Sequence, residues 1–208
     1  LVDGPINTGS GSGSGAIDTT GAKTIIVHLA SAPGVSPTLT DSAGNTMPSP
    51  IVTDLLGCRS AIYILRNPTT SATHTFNVAG TAIYCSIQVE VYAGATAASP
   101  PDVTGAATSD SGVTSLATSS ITPSEDNELV LAFIARNTVG AFSAAGGFTV
   151  GAQTPGISST SYAGAIARLI QTTAAAASTT FSWSAAGAGA ARIVSLKFVA
   201  AGTAPGIA

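Results

Sequence analysis

Charged side chains are what this sequence has least of. Only 8% of its 208 residues are Asp, Glu, Lys or Arg, against about 25% in an average soluble protein. The polar surface must therefore consist mainly of Ser, Thr, Asn and backbone groups. Such a surface packs against a neighbour at low desolvation cost because few charges lose water. This composition favours an assembled or extracellular structural protein over an enzyme.

Further absences exclude whole classes of partner. The net charge is −3, which gives no basic surface for nucleic acid. No stretch approaches the roughly 18 apolar residues of a membrane span, so we expect no membrane partner. There is no Cys/His cluster for zinc and no phosphate-binding loop, and we predict no metal and no cofactor. The two cysteines, Cys58 in a predicted loop and Cys85 on an apolar strand face, leave open whether a disulfide forms.

The clearest feature that is present is the alternation in residues 83–92. Apolar side chains occupy every odd position, and the even positions hold Tyr84, Ser86, Gln88, Glu90 and Tyr92. Because strand side chains point alternately to opposite faces, we predict a long strand with one apolar face and one solvent face. Such strands belong to antiparallel sheets that are packed on one side.

The rest of the chain also predicts strands and no helix, and residues 61–66 are apolar on both parities, as expected for a strand that is covered on both sides. The additional predicted strands are 23–30, 37–40, 61–66, 74–78, 128–136, 148–150, 162–170, 179–183 and 192–199. The two halves of the chain also resemble each other in strand order. Residues 74–78 match 179–183 with an offset of 105 (181 − 76), and residues 23–30 match 128–135 with the same offset. The closing strands match with an offset of 107 (198 − 91).

This self-similarity defines the predicted domain organisation. A Gly/Ser-rich arm, residues 1–15, precedes a β-sandwich over residues 16–200, and residues 201–208 form a tail. The sandwich consists of halves 16–99 and 113–200, joined by a connection rich in Pro, Ser and Ala. Composition alone makes the arm a flexible coil, so its order requires either the domain's own surface or a neighbouring subunit.

Two all-β architectures fit these strands. The one we favour is a single antiparallel β-sandwich of about ten strands, with the two halves interleaved as in a jelly roll. The alternative is two tandem immunoglobulin-like domains. Five strands with only one or two large aromatic residues make a thin core for a domain that stands alone, which is why we favour the single sandwich.

The residues that suggest catalysis are better explained as structure. His28 lies on the more polar parity of its strand and His74 precedes a short strand, and no Gly-x-Ser-x-Gly elbow accompanies them. We interpret both as surface histidines. The Asp-Thr-Thr-Gly sequence at 18–21 departs from the Asp-Thr-Gly of aspartic proteases and is predicted as a turn. The acidic residues at 125–128 suit Ca²⁺, but the polar start of a strand explains them as well. We predict no catalytic residue.

One surface remains as a candidate for binding. Tyr84, Gln88, Glu90 and Tyr92 share the polar face of the strand at 83–92, and Tyr63 joins them if its strand is adjacent. Tyrosine rings beside amide and carboxylate groups suit a glycan, a protein interface or cross-strand packing within one sheet. All three explanations stay open at this point. Trp183 is predicted in the core, because it matches Val78 of the first half.

The turns and strand starts carry a family resemblance. Residues 16–22, 39–46 and 121–130, with the aromatic strands that close the chain, resemble bacteriophage virion-associated proteins of jelly-roll or immunoglobulin-like type. These are capsid decoration, head-fibre and tail-adhesin modules. The resemblance implies a non-enzymatic homo-oligomer on the virion surface, with other virion subunits as partners. The same layout occurs in secreted bacterial β-sandwiches, so the alternative is a carbohydrate- or receptor-binding module.

Overall fold

A computed structural model describes residues 5–10, 13–80, 85–93, 96–98, 100–154 and 162–199. These residues form sixteen β-strands in antiparallel sheets and no helix, so the all-β sandwich prediction is confirmed. The first half contributes β1 (Pro5–Ser10), β2 (Ala22–Ser31), β3 (Thr38–Asp41), β4 (Ile51–Leu55), β5 (Cys58–Arg66), β6 (Phe76–Ala79) and β7 (Ser86–Ala93).

The second half begins after two short strands, β8 (Thr96–Ala97) and β9 (Val103–Thr104). It contains β10 (Thr108–Ala117), β11 (Glu128–Arg136), β12 (Ser143–Ala144), β13 (Thr149–Thr154), β14 (Ala163–Gln171) and β15 (Thr180–Leu196), and β16 (Phe198–Val199) closes the described chain. Strand β9 and the first half of β10 fall in the segment that was predicted as a connection, and β10 continues into the predicted second half. The predicted tail, 201–208, lies outside the described residues.

The two halves build sheets of the same strand order. The main sheet of the first half runs β1-β7-β2-β5-β4, and that of the second half runs β10-β15-β11-β14-β13. In each half a small outer layer adds to this, β3 with β6 in the first and β12 with the start of β15 in the second. The internal repeat is therefore present in the topology. The predicted closing offset of 107 is wrong, because Gln88 and Arg192 occupy matching register positions, an offset of 104 (192 − 88).

The two main sheets pack face to face, and each takes its strands from one half of the chain. The halves therefore do not interleave as the jelly-roll prediction required. They are not separate domains either, because Ile26 and Ile62 of the first sheet share a buried cluster with Leu131, Ile166 and Val194 of the second. Apolar burial of this kind is the main favourable term in folding. Each half has a thin core of its own, and the shared cluster between the two sheets adds the apolar burial that a single half lacks.

Each main sheet is covered on both faces. The small layer and an outer cluster containing Val27 and Phe76 cover one face of the first sheet, and the second sheet covers the other. This arrangement corrects the prediction of a solvent face on the strand at 83–92. At the described even positions, Ser86, Gln88, Glu90 and Tyr92 are buried beneath the second sheet and do not face water. The polar side chains there must find partners inside the protein.

The Gly/Ser-rich arm is held by its own chain. Strand β1 pairs with β7, and Gly13 then bridges to Asn77 on β6. The backbone N–H of Ser14 donates to the carbonyl oxygen of Phe76 at 2.8 Å, and the Ser14 Oγ accepts from the Phe76 N–H at 2.9 Å. In the second half β10 has the equivalent place beside β15. Order in the described part of the arm therefore requires no neighbouring subunit.

The two cysteines are both free and buried. Cys58 begins β5 and packs with Ala30 and Ala135, whereas Cys85 lies in the outer cluster of the first half. The predicted loop position of Cys58 is therefore wrong. Burial raises the pKa of Cys58 to about 12 and that of Cys85 to about 11.

Both thiols should be unreactive in the native protein, because the thiolate is the reactive form and burial disfavours it. We expect a disulfide-exchange reagent such as Ellman's reagent to titrate no thiol under native conditions and both thiols in denaturant. The Cys58→Ser and Cys85→Ser variants assign the signals. Rapid native reaction of either cysteine would contradict its buried position.

Candidate functional site

The side chains predicted as a binding surface lie inside the protein. Gln88 is 0% exposed, Glu90 1%, Tyr92 3% and Tyr63 6%, and Tyr84 lies outside the described residues. Tyr63 packs in the outer cluster, on the opposite face of the sheet from the other three. The predicted surface of outward tyrosines is therefore wrong for the described residues, because the second main sheet covers this face of β7.

A hydrogen-bond network centred on His28 occupies this interface. His28 is fully buried, which corrects its predicted surface position. Its Nδ1 lies 2.6 Å from the Gln88 Oε1, and its Nε2 lies 2.8 Å from the Ser60 Oγ. Burial lowers the pKa of His28 to about 4, although the Gln88 hydrogen bond opposes this. The neutral ring therefore donates from Nδ1 to Gln88 and accepts at Nε2 from Ser60.

The network continues into the second half of the chain. The Gln88 amide nitrogen donates to the Ser86 Oγ at 2.9 Å and to the Thr154 Oγ1 at 3.0 Å. Thr154 ends β13 of the other sheet. The polar groups of His28 and Gln88 thus have partners from both halves, as buried polar groups require.

The carboxylate of Glu90 is also buried, and it lies two residues after Gln88 on the same strand. Glu90 accepts from the Tyr92 hydroxyl, from the Ala152 N–H at 3.3 Å and from Arg168 Nη1 at 3.4 Å. Ala152 and Arg168 belong to the second sheet. Because an unpaired buried carboxylate is costly, these contacts fix the position of one sheet relative to the other.

Glycines in the second sheet make space for these side chains. A Cβ atom at Gly164 would lie 2.3 Å from the Gln88 Oε1, and a Cβ at Gly151 would lie 2.0 Å from the Glu90 Oε1. Neither glycine has a positive φ, so close approach explains its presence. The second main sheet therefore has glycine where the Gln88 and Glu90 side chains of β7 need space.

The other histidine links two loops to a strand. His74 is also buried, with Nδ1 at 2.9 Å from the Thr19 Oγ1 and Nε2 at 2.9 Å from the Asp41 Oδ2. Its ring stacks on Phe76 with centroids 4.5 Å apart. A hydroxyl, an imidazole and a carboxylate in a row resemble a hydrolase site, but the His74 and Asp41 side chains are closed to solvent.

The structure also places the Asp-Thr-Thr-Gly segment, Trp183 and the acidic segment that the sequence analysis singled out. The segment 18–21 is a turn, in which the Asp18 Oδ1 accepts from the Thr20 N–H at 2.9 Å, and Trp183 lies in the core. In the acidic segment, Glu125 pairs with Lys197 at 2.9 Å while Glu128 begins β11. Among the described residues, no three His, Cys, Asp or Glu side chains are grouped as a metal site.

Sequence reasoning missed three exposed apolar side chains, which lie at the β4–β5 turn and in the loop after β11 that the turn abuts. We define the hairpin-tip patch as Leu55, Leu56 and Val139, three large side chains that are exposed. Leu56 and Gly57 form the two-residue turn between β4 and β5, with φ values of 40° and 90°. A Cβ atom at Gly57 would lie 3.6 Å from the Asn137 Nδ2, so the turn abuts the loop that carries Val139.

Arg136 holds that loop in place. Its Nη2 donates to the carbonyl oxygens of Val139 at 2.7 Å and Ala185 at 3.0 Å. Its guanidinium carbon lies 5.0 Å from the Trp183 ring and 5.6 Å from the Phe142 ring, within the range of cation–π attraction. The hairpin-tip patch is therefore presented by ordered segments.

No known protein family, curated protein or solved structure matches this chain. Within the described residues, there is also no helix with the length and apolar character to cross a membrane.

Acidification should destabilise the fold through His28. Unfolded His28 takes up a proton near pH 6.5, whereas the folded residue does so only near pH 4. The unfolded state binds more protons between these values, so the free energy of unfolding decreases as the pH falls through this window, by about 3 kcal/mol. Urea unfolding across the window, compared with His28→Gln, isolates this contribution because other groups cancel. Equal pH profiles for the two proteins would contradict the buried neutral imidazole.

The fit between Gly164 and Gln88 should be measurable as a coupling. We expect Gly164→Ala to lower the free energy of unfolding by about 1–3 kcal/mol through overpacking. The same substitution should cost less in a Gln88→Ala background, because the clashing amide is gone. A double-mutant cycle in urea measures the difference. An equal cost in both backgrounds would show that Gln88 is not the cause.

Proposed function

We propose that this chain is a non-enzymatic virion structural protein, a capsid decoration, cement or fibre module that packs against neighbouring subunits. The hairpin-tip patch is the observation that carries the proposal. The low charge of the chain and its resemblance to phage virion-associated proteins support the virion setting. The burial of both histidines supports a role without catalysis.

The patch combines exposure with backbone strain. A two-residue turn with positive φ at both positions favours Asn-Gly, whereas this chain has Leu56-Gly57. A leucine in the left-handed region costs about 1–2 kcal/mol, and Leu56 remains 55% exposed. Contacts within the chain therefore do not offset that cost. Burial of Leu55, Leu56 and Val139 against another subunit would do so, at about 25 cal/mol for each Å² of apolar surface.

The alternative, a glycan- or receptor-binding module, was suggested by polar and tyrosine side chains that were expected at the surface, and those that the structure describes are buried. Gln88, Glu90 and Tyr92 face the second main sheet, and their polar groups bond within the chain. Packing through the patch needs no such side chains. A stable contact buries at least about 1,000 Å² in total, so the patch would form the centre of an interface whose rim is weakly charged.

Replacement of Leu56 should separate stability from assembly. We expect Leu56→Asn to raise the free energy of unfolding by about 1 kcal/mol, because asparagine tolerates the turn conformation. The same change should weaken self-association in sedimentation equilibrium at least about tenfold, because a buried apolar anchor is lost.

Ile170→Asn is the matched control. Ile170 is similarly exposed but pairs with Leu129 at the start of β11, whereas Val139 follows the end of that strand. We expect Ile170→Asn to leave self-association unchanged. A native chain that remains monomeric at high concentration and never joins a particle would overturn the proposal, and so would unchanged assembly of Leu56→Asn.

A further inference from the structure

An open groove follows the far end of strand β5. Two cavities of about 230 and 250 Å³ share Pro48, Ile64 and Arg66 in their walls. We call them together the edge groove. Its other lining residues are Asn45, Thr46, Ser49, Ile51, Ile62, Leu65, Pro68, Pro100 and Pro101. The groove thus has walls of mixed polarity, in which proline and isoleucine lie beside Asn45, Thr46 and Ser49, and one cationic side chain, Arg66.

The backbone of β5 is unpaired on this side. Strand β4 begins at Ile51, opposite Ile62, so the described chain has no strand beside the last residues of β5. The N–H of Asn67, the residue after β5, donates to the Lys23 carbonyl of β2 at 2.8 Å, which makes Lys23 and Asn67 a hydrogen-bonded pair at the end of the ladder between β2 and β5. Because such pairs alternate along an antiparallel ladder, the N–H and C=O of Ile64 point away from β2.

Ile64 therefore directs its backbone into the groove. Its carbonyl oxygen accepts from Arg66 Nη1 at 3.1 Å, while its N–H meets no acceptor in the described part of the chain. The residue as a whole is only 5% exposed, and a donor that lacks a protein partner gains about 0.5–1.5 kcal/mol from a new intermolecular hydrogen bond. The prolines of the walls have no N–H to extend the ladder. A carbonyl from another chain would satisfy the Ile64 N–H.

Arg66 adds an unneutralised charge. Its Nε donates to the carbonyl oxygens of Ala97 at 3.0 Å and Ala98 at 2.9 Å. No carboxylate among the described residues forms an ion pair with it, and no acidic residue lines either cavity. An anionic group in the groove would complement this cation with a charge-assisted hydrogen bond.

We propose that the edge groove binds an extended peptide segment of a neighbouring chain that carries a carboxylate. The segment adds a strand to the edge of β5, accepts the Ile64 N–H with a backbone carbonyl and places its carboxylate against Arg66. Strand addition of this kind gives affinity through backbone bonds and specificity through pockets for alternate side chains. The inference rests on the proposed function and names the chemistry of the partner.

Peptide binding to the full chain tests the inference. The probe is the acetylated and amidated peptide Val-Thr-Asp-Val-Thr-Val, and its Asn counterpart is the control ligand. We expect the Asp peptide to bind at least about fivefold more tightly by calorimetry, as expected for a charge-assisted bond. In ¹⁵N-edited spectra the Ile64 amide should shift downfield and become protected from exchange.

Variants of the chain test whether the positive charge of Arg66 accounts for peptide binding in the groove. Arg66→Gln should remove the preference for the Asp peptide, and Ser49→Glu, at an exposed position of the wall, should weaken its binding by placing a competing carboxylate in the groove. If Arg66→Gln fails to fold, Ser49→Glu decides. Arg59→Gln is the matched control on the same strand, since Arg59 already pairs with Asp54 at 2.9 Å, and it should change nothing.

Several results would overturn the inference. These are no binding at millimolar peptide, equal binding of the Asp and Asn peptides, or binding that neither Arg66→Gln nor Ser49→Glu alters. If the chain binds no peptide but self-associates in a way that depends on Arg66, the occupant of the groove is a second folded copy. That result would also overturn the inference. Assembly that depends on Leu56 in a chain that binds no peptide would leave the proposed function intact, so the two failures are distinguishable.

Discussion

The fold depends on the packing of two main sheets over a row of buried polar side chains. Strand β7 sends Ser86, Gln88 and Glu90 into a space that is otherwise largely apolar. A buried polar group without a partner there would cost about 1–3 kcal/mol. The opposite sheet must therefore bring Thr154 and Arg168 into register with them. Apolar contacts alone would tolerate sliding of one sheet over the other, whereas these directional bonds do not.

This constraint determines which surfaces remain for partners. Both faces of each main sheet are covered, so only edges and turns are available in the described chain. The hairpin-tip patch lies where β5 begins, and the edge groove lies where β5 ends at Arg66. If both proposals hold, two different candidate surfaces at opposite ends of one strand would suit head-to-tail assembly, because such contacts join unlike patches.

Strand positions were accessible from the sequence, but the environment of their faces was not. Alternation located most of β2, β7 and β11 because side-chain direction depends only on local geometry, and a short apolar run located most of β5. Whether a polar face meets water depends on the layer above it, and local pattern contains no information on that layer. Gln88 and Glu90 therefore suggested solvent. The available signal was indirect, namely apolar residues on both parities of β11 and glycines at 151 and 164.

The hairpin-tip patch and the edge groove were missed for related reasons. Leucine before glycine gives no turn signal as strong as Asn-Gly, so Leu56 was not recognised in a hairpin. The open edge of β5 follows from where β4 begins, and β4 was not predicted at all. Pro100 and Pro101 indicated the connection between the halves, but only the tertiary structure brings them beside Pro48 and Arg66.

The repeat explains how one fold provides both a fixed interior and distinct contact surfaces. His28 and Phe133 occupy equivalent positions (133 − 28 = 105) and meet across the interface with ring centroids 5.5 Å apart. Around this point the face of the first sheet carries His28, Gln88 and Glu90 beside its apolar side chains, whereas the face of the second sheet is mainly apolar. Two polar faces would need many more mutual partners, and two apolar faces would specify no register. Unequal halves satisfy both requirements, because the polar side chains of the first sheet find partners such as Thr154 and Arg168 on a second sheet that is otherwise largely apolar.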